Sequence, residues 1–224
     1  IAAVKTQDSG IVEVYGNKPA QAKEFIGYVP QENFSSPKLS GRENLIYFAN
    51  PLVYPRNQAN QLVVEMLQNV GLSEEADKRV AKYSGGLRKR LEVATASFTG
   101  QKVRILDEPT TALDVISQKY ILNILADLRR KLGVTIILLS HDLAIFTEVV
   151  DRIAVMYAGR LVEVARMSDV FLRPRHPYSL GLMQATPSVL GDVSKLKPIS
   201  GSPPDMFSLP RGCPFRPRCP YAVD

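Results

Sequence analysis

The chain has 224 residues, with 28 Lys and Arg against 22 Asp and Glu, a net charge of +6 and 45% hydrophobic content, which suits a folded domain with a buried core. Its longest aliphatic stretch, residues 134–139, falls far short of the roughly 20 residues that a membrane-spanning helix requires, and no N-terminal targeting pattern is evident, so the chain reads as soluble. The basic residues are dispersed apart from Arg88-Lys89-Arg90 and the C-terminus, which reads as solvated surface and argues against a nucleic-acid partner, and the two cysteines, Cys213 and Cys219, leave the main body unstapled, as suits a reducing cytoplasm.

Residues 9–16 alternate polar and apolar side chains between two glycines and predict a strand with a turn at each end. Residues 25–31 form a second short apolar run. Pro30 closes it, because proline cannot donate to a sheet ladder, and Gln31 then stands at a strand-to-loop exit. Residues 41–48 and 57–70 carry helix-spaced apolar positions, among them Leu62, Met66 and Val70, punctuated by Pro51 and Pro55. They predict a small helical insert over about residues 36–100, in which 86–97 is helical again. The run 103–106 is the continuous apolar kind found in a buried parallel strand, and Asp107 and Glu108 end it. Residues 117–132 are a periodic helix stopped by Gly133, and 135–139 are another buried strand, so strand, helix and strand imply parallel pairing. Residues 152–157 and 160–164, separated by Ala158-Gly159, predict a hairpin. From Arg173 onward the chain is dense in proline and reads as an extended appendage. The expected architecture is α/β, a parallel sheet flanked by helices over residues 1–172, with a Pro-rich extension over 173–224.

Several of these junctions suit phosphate chemistry. Ser84-Gly85-Gly86 ahead of a helix combines backbone amides, no Cβ to block approach, and a positive helix end, although the same triplet also occurs as a simple helix start. Asp107 and Glu108, at the tip of a parallel strand, lie where ligands bind in open α/β sheets. Asp107 can hold Mg²⁺ while Glu108 orients and polarises an attacking water; the bland alternative is a solvated acidic turn. His141 follows the next strand and can donate to a phosphate oxygen, and Gln31 fits the same edge as a ligand to metal or water. The G-x-x-x-x-G-K-[ST] loop that would cradle the phosphates does not occur in the sequence.

In this order, Tyr83-Ser84-Gly85-Gly86, Ile105-Leu106-Asp107-Glu108-Pro109, Ala112-Leu113-Asp114 and Ser140-His141-Asp142 resemble the second half of the nucleotide-binding subunit of ABC transporters. The resemblance runs from Ser9 to Cys219 and implies a P-loop NTPase-like fold that uses ATP and Mg²⁺. It implies Gln31 as the Q-loop residue and, with Asp107, a metal ligand; Ser84, Gly85 and Gly86 as the signature; Glu108 as the catalytic glutamate; Asp114 in the D-loop at the nucleotide; and His141 as the switch histidine. It also implies head-to-tail pairing with a second ATPase subunit, transmembrane permease subunits, and a place on the cytoplasmic face of the cell membrane.

Three departures from the family pattern stand out. The P-loop is missing, as though the chain begins just after it; truncation is the favoured explanation, and the chain alone is expected to be inactive. Leu87 stands where the family commonly has glutamine. The middle, with Leu39-Ser40-Gly41-Arg42-Glu43-Asn44-Leu45, resembles drug exporters, whereas Arg175-His176-Pro177-Tyr178 and the segment 212–220 resemble the C-terminal extension of oligopeptide, dipeptide and nickel importers. The tail has no general ATPase purpose and is weighted more, which implies peptide import with an extracytoplasmic substrate-binding protein. Drug export and a non-catalytic subunit that lends Ser84 to a partner are the alternatives. Cys213 and Cys219 admit a metal or iron-sulfur cluster if further cysteines join them, but their spacing is not C-x-x-C and two ligands cannot complete a tetrahedral shell.

Overall fold

Three short parallel strands, β1 (Ile26–Val29), β2 (Val103–Asp107) and β3 (Thr135–Leu139), lie side by side in that order in a computed structural model that describes residues 9–49, 55–96, 101–143, 146–186 and 196–223. The pleat sends alternate side chains to opposite faces. Ile26, Val103 and Ile105 pack with Val14 and Ala22 on one side, while Val29 and Leu106 join a larger core on the other. That larger core is built with four helices: α1 (Gly41–Phe48), α2 (Arg56–Asn69), α3 (Gly85–Thr95) and α4 (Val115–Leu132). The stripe Ile121, Ile124, Leu125 and Leu128 of α4 is buried there together with Leu67, Val70 and Leu91. A capping box of Ser40 and Glu43 starts α1, and Gly133 in the left-handed conformation (φ 60°) stops α4.

These elements form the first of two compact units, Ile1–His141 and Asp142–Asp224. In the second, β4 (Arg152–Tyr157) and β5 (Arg160–Arg166) make an antiparallel hairpin. Ala158 and Gly159 at its turn both have positive φ (48° and 73°), as a tight two-residue turn of matching twist requires. Short helices α5 (Phe146–Val149), α6 (Met167–Leu172) and α7 (Pro177–Ala185) accompany it. The proline-rich tail folds back onto this scaffold through Phe215, whose ring stands edge-on to Tyr157 at 5.2 Å and to Tyr178 at 5.4 Å. Arg218 secures the same place, donating to the carbonyls of Ser200 (2.8 Å) and Ile199 (3.2 Å) and to the Tyr157 hydroxyl (3.3 Å).

The α/β expectation holds, with a parallel sheet flanked by helices, and the differences from the sequence reading have local causes. Residues 9–16 do not form a strand: one bridge, Val14 to Asn17, closes a turn through Tyr15 (φ 51°) and Gly16 (φ 74°). Alternation there places Val14 in the core and leaves Ile11 exposed, and among the described residues no partner strand converts the pattern into a ladder. The two compact units divide at 141/142. The hairpin packs with the tail, and the Glu163 carboxylate accepts the amides of Arg175 (2.9 Å) and His176 (3.1 Å). Lys89, expected on a solvated surface, is only 4% exposed. The expected helix end at Ser97 and the punctuating Pro51 lie outside the described residues.

Candidate functional site

The register of the sheet pairs Leu106 with Val29 and Asp107 with Leu139, so the chain leaves all three strands along one rim, at Gln31, Glu108 and His141. The Glu108 amide still donates to the Leu139 carbonyl (3.0 Å), but its φ of 46° turns the chain out of the strand. A non-glycine residue held there costs on the order of 1–3 kcal/mol, and its surroundings must over-determine it. They do so through the carboxylate. Oε1 accepts the His141 amide (3.1 Å) and faces His141 Nδ1 at 2.8 Å, while Oε2 accepts the hydroxyls of Thr111 (2.7 Å) and Ser140 (3.2 Å). Partial burial works to raise the Glu108 pKa. The hydrogen bonds from His141, Thr111 and Ser140 and the charge of the imidazole outweigh it, so the carboxyl is held below the usual glutamate range. The His141 side chain is 78% exposed against 17% for Glu108, so the pair presents an imidazole to solvent and keeps its acid sheltered.

Asp107, the residue before Glu108, accepts the phenol of Tyr28 at 3.3 Å. Gln31 is exposed at the end of β1, and its main-chain carbonyl accepts Lys89 Nζ at 3.2 Å. A carboxylate and a carboxamide on neighbouring strand tips are hard oxygen donors of the kind Mg²⁺ takes, so this donor set fits that ion.

Ser84, Gly85, Gly86 and Asp114 form a second group at the starts of two helices. Ser84 caps α3, its hydroxyl accepting the Leu87 amide (3.3 Å). Asp114 caps α4, accepting the amide (2.9 Å) and hydroxyl (2.7 Å) of Ser117, and these bonds hold its carboxyl below the usual aspartate range. A Cβ on Gly86 would come within 2.6 Å of Ser117 Oγ, so the two helix starts approach as closely as only glycine allows. The capping role expected of an ordinary helix start is therefore present at both residues, alongside a helix N-terminus suited to an anion. Leu87 turns toward the helical core, which accounts for an apolar residue at that position.

Glu108 and His141, singled out separately in the sequence, are thus in direct contact, with Asp107 adjoining. Sequence reasoning missed the residues that support them. Thr111, three positions past Glu108, Ser140, immediately before His141, and Tyr28 on the neighbouring strand are all hydroxyls at loop or strand positions, and only the register reveals their target. In the second unit Cys213 is exposed and Cys219 half-buried, and both are free thiols. Among the described residues no group of three or more His, Cys, Asp or Glu is placed to hold a metal, and no helix is long and apolar enough to cross a membrane.

The family model for ABC transporters matches residues 1–111, and the model for the C-terminal region of oligopeptide/dipeptide transporters matches residues 162–224. The chain belongs to the ABC transporter family. It is 44% identical over 186 residues to the oligopeptide transport ATP-binding protein AppD of Bacillus subtilis, covering 81% of this chain and 56% of that protein. It is 42% identical over 168 residues to the dipeptide transport ATP-binding protein DppD of the same organism (74% and 50%), and 44% identical over 165 residues to OppD, the oligopeptide transport ATP-binding protein of Salmonella typhimurium (72% and 49%). The chain therefore spans about half the length of the curated relatives it matches.

Proposed function

We propose that this chain belongs to the ATP-hydrolysing engine of a transporter that imports oligopeptides or dipeptides. The observation that carries the reading is the contact between Glu108 and His141 at the tip of a parallel sheet, one residue beyond Asp107. Glu108, ionised and aimed by Thr111 and Ser140, orients the attacking water and draws on its proton. His141, exposed beside it, donates to the phosphoryl oxygen on which charge accumulates. Asp107 and Gln31 would hold Mg²⁺, which would supply charge neutralisation at the phosphate oxygens. Ser84, Gly85 and Gly86 offer the start of α3 to the phosphates of a nucleotide across a head-to-tail interface with a second ATPase subunit, and Asp114 stands beside them at that interface. The G-x-x-x-x-G-K-[ST] loop is not among these 224 residues, and no phosphate contact is assigned to it here.

The cargo follows from the names of the relatives and from the matching tail. In this reading the protein sits peripherally on the cytoplasmic face of the membrane against permease subunits, fed by an extracytoplasmic binding protein. Uptake of labelled dipeptides and oligopeptides by cells that carry or lack the gene tests it. Loss of peptide uptake without loss of drug resistance is expected; unchanged uptake with new drug sensitivity would assign the exporter role instead.

A further inference from the structure

Helix α3 buries two opposite charges. Glu92 is fully buried (0% exposed) and Lys89 nearly so (4%), positions where an apolar residue would avoid the desolvation cost of ions. Their partners explain why ions stand there. Glu92 Oε1 accepts the amides of Phe34 (3.1 Å) and Ser35 (3.3 Å) and the Ser35 hydroxyl (2.8 Å). Lys89 Nζ donates to the carbonyls of Gln31 (3.2 Å) and Pro30 (3.4 Å) and lies 3.3 Å from Glu92 Oε2. Arg88, 3.6 Å from Glu92, reinforces the grip by donating to the Ser35 hydroxyl (2.9 Å) and carbonyl (2.6 Å). One turn of α3 therefore holds both ends of the loop 30–35, mostly through its main chain, and that loop carries Gln31. The same helix begins at Ser84.

We propose that Lys89 and Glu92 are positioning residues that bind the Ser84–Gly86 helix and the Gln31 loop into one moving body, so that a displacement at either is transmitted to the other. This rests on the reading that Gln31 and Ser84 serve one nucleotide machine. Directional bonds to main-chain groups fix the loop in one place, which apolar packing alone does not do.

Amide hydrogen exchange on the purified chain tests the strut without requiring hydrolysis. Glu92→Gln keeps volume and one acceptor, and it is expected to speed exchange at Phe34 and Ser35 roughly tenfold while β2 and β3 keep their protection. Ser35→Ala, which leaves both buried charges in place, is expected to act in the same direction and less. Unchanged exchange at both amides in both variants, or a loss spread evenly over the first unit, overturns the strut. In an assembly that hydrolyses ATP, Lys89→Met should lower kcat with KM unchanged and Lys89→Arg should restore it; equal kcat in Lys89→Met and wild type overturns the coupling. A wild-type assembly with no hydrolysis contradicts the proposed function, and the exchange result still decides the strut.

Discussion

Glu108 and His141 are placed by neighbouring parallel strands, whereas the proline-rich tail of the second unit is held by a few side chains gathered around Phe215. At the rim, backbone pairing sets the positions and the side chains are partly exposed and ready to exchange partners. In the tail, the described backbone beyond residue 195 is rich in proline and joins no strand ladder, and the buried Phe215 ring and Arg218 are among the groups that anchor it. On the proposed reading chemistry and stability are separable in this chain: substitutions at the rim should act mainly on reactivity, and substitutions at the tail anchor mainly on folding.

The sharpest way to break that separation is Phe215→Ala. It removes a buried ring from a cluster that includes Tyr157 and Tyr178, and it should destabilise the second unit by about 3–5 kcal/mol. Exchange protection in β1, β2 and β3 should be retained; an equal loss in both units would show that they fold as one. Next in size, His141→Ala should lower ATP hydrolysis by the assembled transporter about 10²–10³-fold, as removal of one donor to developing charge does elsewhere. Its side chain is mostly exposed, so denaturant midpoints of the first unit should barely move. A smaller effect is expected at Asp114→Ala, which deletes the α4 cap and should lower the urea midpoint of the first unit slightly. Asp114→Asn keeps the acceptor and should recover most of that loss, whereas an equal loss in both variants would mean that charge and not capping matters.

Much of the fold was legible because apolar runs here end in strong punctuation. The span of β3 and the start and end of α1 agree with the sequence reading, and Gly133 stops α4 as expected of a glycine past the last periodic residue. Residues 9–16 misled because alternation describes a strand only when another strand pairs with it, and here Tyr15 and Gly16 adopt turn geometry. The identities of Asp107, Glu108 and His141 could be read from strand-tip positions, but their contact could not, since it depends on a register that pairs Asp107 with Leu139 across 32 positions of sequence. The supporting hydroxyls of Thr111 and Ser140 carried no signal of their own. Lys89 looked like surface charge because its burial depends on where the loop 30–35 folds, which no local pattern states.

Whether Glu108 acts on water while other groups hold the nucleotide is tested most directly by Glu108→Gln, with ATP binding and hydrolysis measured side by side in the assembled transporter. The amide keeps the shape and can still accept from Thr111 and Ser140, so ATP should remain bound with an affinity near that of wild type while turnover falls about 10²–10⁴-fold. Hydrolysis at the wild-type rate would contradict the account, as would a loss of ATP binding as large as the loss of turnover.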